Sequence, residues 1–136
     1  MARIMAIDYG ARRVGIAVTD PLQIIATALT TVPTEKIFEY LAAYFKNEQV
    51  EKIVVGYPTG LDRKPTHATP LVEIFITGLK KRWPDIELTT WDETFTSKMA
   101  VRSMIESGMK KKQRRDKSII DKVSAVIILQ EYLQHQ

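Results

Sequence analysis

The stretch Ile4–Asp20, IMAIDYGARRVGIAVTD, restricts the possible folds more than any other part of the chain. Alternate residues of a strand share a face, so Ile4, Ala6 and Asp8 point one way while Met5 and Ile7 point the other. Both faces are apolar, which predicts a central strand of a sheet covered on two sides. Val14–Val18 is a second apolar run after a tight turn over residues 9–13, and the pair predicts a hairpin. An ionised carboxylate at the end of such a strand is costly unless a cation or hydrogen-bond donors compensate it. A lone Asp8 could simply accept N–H groups of the following turn. Its role therefore depends on what the rest of the chain brings to it.

Ile24–Val32, rich in Ile and Thr between Pro21 and Pro33, predicts a third strand. A helix follows, with Thr34 as its cap and Ile37, Leu41, Tyr44 and Phe45 at helical spacing. Lys52–Gly56 predicts a fourth strand, and residues 57–66, with two prolines and a glycine, an exposed loop. Leu71, Phe75 and Leu79 predict a helix over residues 67–82, and Ile86–Trp91 a fifth strand running into Asp92 and Glu93. A helix over Thr96–Glu106, ended near Gly108, and a strongly apolar last helix over Ile119–Leu133 complete the order. Three strands followed by alternating elements predict an α/β fold, a mixed sheet with helices packed on its faces. At 136 residues the expectation is a single domain spanning 1–136.

The chain lacks a long apolar run and an N-terminal secretory pattern, so the expected location is the cytoplasm, with no membrane contact. It has no cysteine, and only His67 and His135 offer imidazole, so any metal must be held mainly by oxygen. The formal charge is +4, but Lys110, Lys111, Lys112, Arg114, Arg115 and Lys117 fall close together. Such a segment can meet a polyanion, or serve only as a solvated loop.

Two more carboxylates join Asp8. Glu93 closes the fifth strand at its C-terminal end, where ligand crevices of open α/β sheets form. Asp121 lies one turn inside the last helix on the side shared by Ser124, Ala125 and Ile128. Taken singly, Asp121 could merely suit a helix N-terminus. If the three converge, each raises the pKa of the others unless a divalent cation holds them ionised. Mg²⁺ or Mn²⁺ suits such a site, and two ions about 3.5–4 Å apart would serve an in-line phosphoryl displacement.

These residues resemble a known family. Asp8-x-Gly10-x-x-Arg13-x-Gly15-x-Ala17, Gly56-x-Pro58, Asp92-Glu93, and Asp121 ahead of Ser124-Ala125-Val126-Ile127-Ile128-Leu129 are similar, in order and over nearly the whole chain, to the YqgF/RuvX family. Its members are described as Holliday junction resolvase-like proteins and pre-16S rRNA nucleases. The resemblance implies a ribonuclease H-like fold, with a five-stranded mixed sheet and helices on both faces. It also implies Asp8, Glu93 and Asp121 as catalytic metal ligands. Gly10 and Gly15 would let the backbone approach a phosphate, Arg13 would contact one, and Lys117 is a further candidate. The implied function is processing of the 5′ end of pre-16S rRNA in ribosome biogenesis, by a monomer or weak dimer. Two positions depart from the family: Thr94 stands where Asp-Glu is usually followed by Arg, and Asp62 is followed by Arg63 rather than Gly.

Three other functions compete. A resolvase-like endonuclease would cut branched DNA with the same site. A non-catalytic rRNA or ribosome-assembly module would keep the fold and the basic segment, and Thr94 favours it. An actin-like or sugar-kinase ATPase also begins with Asp-x-Gly after a strand, but builds its site between two such domains.

Overall fold

The computed structural model describes residues 2–57, 69–92 and 117–135, and the side chains within these except those of residues 69, 92 and 117–122. Five strands, β1 (Arg3–Tyr9), β2 (Arg13–Thr19), β3 (Ala26–Pro33), β4 (Val50–Tyr57) and β5 (Glu87–Asp92), form one sheet in the order β3-β2-β1-β4-β5. β1, β2 and β3 are antiparallel neighbours, whereas β4 pairs parallel with both β1 and β5. The helices are α1 (Ile37–Asn47), α2 (Thr69–Arg82) and α3 (Lys117–Gln134). The predicted helix over residues 96–106 and the loop over 58–66 lie outside the described residues.

The strand parity read from the sequence separates two cores. Met5, Ile7, Val14, Ile16, Val18, Ile53 and Val55 pack against Ile37 and Leu41 of α1 and Val72, Phe75 and Leu79 of α2. On the opposite face Ile4, Ala6, Ala17 and Val54 pack against Ala125, Ile128 and Leu129 of α3. This is the mixed sheet with helices on both faces. Ala6, Ala17 and Ala125 are fully buried, and their small side chains let α3 lie close to the sheet.

Two local expectations are corrected. Thr34 does not cap α1: residues Thr34–Lys36 form a 3₁₀ turn, and its hydroxyl instead donates to the Gly10 carbonyl at 2.6 Å, while its N–H donates to Arg12 O at 3.0 Å. Thr34 thus braces the β1–β2 turn. On α2 the inward stripe is Val72, Phe75 and Leu79, with Leu71 substantially exposed, because Val72 and not Leu71 lies three residues before Phe75 on the buried side. Among the described residues no helix is long and apolar enough to cross a membrane.

Candidate functional site

Asp8 is the penultimate residue of β1 and is half-buried. It shares the α3 face with Ile4 and Ala6, while its neighbour Tyr9 points to the other core and stacks on Phe75 with ring centroids 4.4 Å apart. Burial raises the Tyr9 phenol above its ordinary pKa, so it stays neutral. Across the hairpin Asp8 pairs with Gly15, and Gly15 pairs with Thr31 of β3. Gly15 is buried and adds no side chain to that face. Arg13 begins β2, is half-buried and shares the parity of Gly15 and Ala17, so it is the next residue along the α3 face from the Asp8–Gly15 pair.

Gly10 has a local reason to be glycine. A Cβ there would lie 2.6 Å from the Arg13 carbonyl oxygen, closer than any ordinary contact, so the turn that presents Arg13 requires a bare backbone. This crowding accounts for Gly10 through the hairpin itself, independently of a phosphate.

The direction of α3 bears on Asp121. Tyr132, near its C-terminal end, accepts a hydrogen bond from Lys52 at the start of β4, and Leu133 lies beside Ile24–Ala26 at the start of β3. The bond to Tyr132, outweighing desolvation, and a second to Glu87 at 3.3 Å hold the Lys52 ammonium above its ordinary pKa. The N-terminal turns of α3 therefore run toward the sheet end where β1 and β4 finish. Asp121 precedes Tyr132 by about 16 Å of helix, and Asp8 lies about 13 Å of strand beyond Ile4. Backbone direction alone carries both residues toward one end of the same face. Lys117 is the first residue of α3, one turn before Asp121.

Glu93 and the basic residues Lys110, Lys111, Lys112, Arg114 and Arg115 lie outside the described residues. Among the described residues no group of three His, Cys, Asp or Glu side chains forms a metal site.

One residue escaped the sequence reading. Trp91, on β5, packs on the α3 face; its Nε1 donates to Glu131 at 2.8 Å, and its ring meets Tyr132 edge-on and stacks on His135. It ties the end of β5 to α3, the element that carries Asp121. The available signal was spacing, since Trp91 precedes Glu93 by two positions in the sequence.

The chain matches the RuvX family, described as Holliday junction resolvase, over residues 2–135. It is 49% identical to a protein of Flavobacterium psychrophilum, over 98% of this chain and 97% of that one. For a protein of Christiangramia forsetii the identity is 50%, over 98% of each chain. A protein of Amoebophilus asiaticus is 51% identical, over 98% of this chain and 94% of its own. All three carry the curated name "Putative pre-16S rRNA nuclease". The match runs from before β1 to the last turn of α3, and by it the chain belongs to the RuvX family, whose ribonuclease H-like fold is the five-stranded mixed sheet described above.

Proposed function

We propose that the chain is a metal-dependent nuclease that hydrolyses phosphodiester bonds of precursor 16S rRNA near its 5′ end, with Asp8, Glu93 and Asp121 as its metal ligands. The observation that carries this is the placement of Asp8 on the α3 face, beside Gly15 and at the end of β1 toward which the Asp121 turn of α3 runs. Near-full-length identity to proteins named for that substrate supports the choice of RNA.

The donor set fits a hard cation. A half-buried carboxylate at a strand end supplies oxygen, the chain has no thiolate, and His135 is engaged on Trp91. Asp8, Glu93 and Asp121 would hold Mg²⁺ or Mn²⁺, two ions in the fullest form. When bound, these would polarise the phosphate and activate water. The chain's own cations have a separate task. Arg13, Lys117 and the segment from Lys110 to Arg115 would neutralise and orient the phosphate backbone without reading sequence. Gly15 would leave space for a phosphate next to Asp8.

The family description favours a second substrate, branched DNA. Precursor 16S rRNA and a four-way DNA junction, each incubated with Mg²⁺ or Mn²⁺, separate the two. The expected result is cleavage of the RNA, dependent on metal and lost in Asp8→Asn. Junction cleavage with untouched RNA would reassign the substrate, and unchanged cleavage by Asp8→Asn would refute the site.

A further inference from the structure

Thr34 joins β3 to α1, and its backbone and side chain bind in three directions. Its hydroxyl donates to the Gly10 carbonyl at 2.6 Å and its N–H to the Arg12 carbonyl at 3.0 Å, while its own carbonyl accepts the N–H of Ile37 at the start of α1. Ile37 is buried in the core beneath α1 and α2. The half-buried Thr34 therefore ties the β1–β2 turn to a fixed point of the fold, from a position 24 residues further along the chain than Gly10. Pro33, which lies opposite Arg13, has no N–H to give. The backbone bond that holds this end of the hairpin comes from Thr34 instead.

The turn has few other means of holding its shape. Tyr9 and Val14 are the last residues paired between β1 and β2, so residues 10–13 must reverse the chain. Ala11 and Arg12 are exposed, and Gly10, which the crowding at Arg13 keeps bare, restrains its own backbone less than any other residue type. Tyr9 fixes the entry to the turn through its stacking on Phe75. Thr34 fixes the rest. A trans peptide unit is planar, so the bond to the Gly10 carbonyl orients the whole unit joining Gly10 to Ala11, and the bond to the Arg12 carbonyl orients the unit that enters Arg13. Those two planes set where β2 begins and from what point the Arg13 side chain extends.

We propose that Thr34 is a positioning residue for substrate binding: by holding the Gly10 and Arg12 carbonyls it directs Arg13 at a phosphate of the RNA. The inference rests on the reading of the chain as a nuclease in which Arg13 contacts phosphate. Thr34 acts through the turn and not by touching substrate. A charge-assisted contact between guanidinium and phosphate depends on geometry as well as charge, so a turn free to rock would weaken it without removing any charged group. The hydroxyl can be tested separately from the rest of the residue. Val has the shape and branching of Thr, so Thr34→Val deletes the bond to Gly10 and keeps the backbone bond to Arg12. Thr34→Ser removes a methyl group and keeps the hydroxyl.

Cleavage of precursor 16S rRNA with Mn²⁺, with kcat and KM measured over a range of salt, tests this in the wild-type chain, Thr34→Val, Thr34→Ser, Arg13→Gln and the double variant Thr34→Val with Arg13→Gln. Thr34→Val should lower kcat/KM by about two- to tenfold, the range of one hydrogen bond, chiefly through KM. Its kcat/KM should also fall less steeply with salt, as in Arg13→Gln, because one phosphate contact is weakened in both. Thr34→Ser should behave as wild type. On the Arg13→Gln background Thr34→Val should cost nothing more, since two changes that act through one contact are not additive. A bond that served the fold alone would lower the melting temperature and leave the two effects multiplicative. Any of four results overturns the proposal: Thr34→Val cleaving like wild type, Thr34→Ser as impaired as Thr34→Val, Arg13→Gln without effect, or the same loss from Thr34→Val whether Arg13 is present or replaced. A wild-type chain that cleaves no RNA overturns the proposed function and this inference with it.

Discussion

Replacing Ala125 by Leu should damage cleavage more than stability. Ala125 is fully buried where α3 meets Ile4, Ala6, Ala17 and Val54, so the larger side chain must push the helix away or force neighbours off their rotamers. Overpacking of this kind costs about 1–3 kcal/mol. A chain of this size is expected to have roughly 7–20 kcal/mol of stability, so the variant stays folded and melts lower by about 3–10 °C. A helix displaced by about 1 Å would carry Asp121 with it, and a misplacement of that size can cost about a hundredfold in rate. Ile128→Ala is the control, since it removes packing on the same stripe one turn later and leaves a cavity with the helix in place. It should cost more stability, about 2–5 kcal/mol, but less activity. Thermal melts by circular dichroism and single-turnover cleavage at saturating Mn²⁺ give the two readings. If activity falls in proportion to stability across the two variants, helix position is not what the site requires, and the role given to Asp121 fails.

Changing Lys110, Lys111, Lys112, Arg114 and Arg115 to Gln should weaken binding to unrelated RNA sequences alike and flatten log affinity against log salt; an unchanged slope makes the segment a solvated loop. Thr94→Arg should raise cleavage, with about 1.4 kcal/mol appearing as tenfold in rate, and should restore nothing when combined with Asp8→Asn. If neither binding nor rate responds, residue 94 does not approach the scissile phosphate. The Asp20 carboxyl is held below its ordinary value of 3.8 chiefly by the N–H of Ile25, then by those of Ile24 and Leu22, against some desolvation. A depressed folded pKa contributes stability that is present above 3.8 and lost as pH falls through the folded value. Protection of the Leu22, Ile24 and Ile25 amides, measured against the intrinsic exchange rate at each pH, should therefore fall in acid below about pH 4, and Asp20→Ala should lack that protection at every pH.

Most of the fold was legible because strand periodicity survives in sequence. The parity of Ile4, Ala6 and Asp8 against Met5 and Ile7 named both faces of β1, and each face has its own core. Thr34 was misread because a hydroxyl before a helix looks like a cap, whereas its acceptor, the Gly10 carbonyl, is remote in sequence. Leu71 was misread because alternative apolar residues one position apart fit the same helical spacing, and only the facing sheet selects Val72.

The site divides along the same line. By itself the sequence determined the residue types: three carboxylates in apolar settings, no thiol, a basic cluster, and glycines beside an Asp. These are local chemistry, and they limit the metal and the substrate whatever the topology. Only the tertiary structure decided that Asp8 lies opposite Gly15, that α3 runs with its N-terminal turns toward the end of β1, and that Trp91 ties β5 to that helix. It also placed β3 at one end of the strand order, beside β2. Strand order and helix direction are set by packing between residues far apart in the chain, so no local pattern could record them.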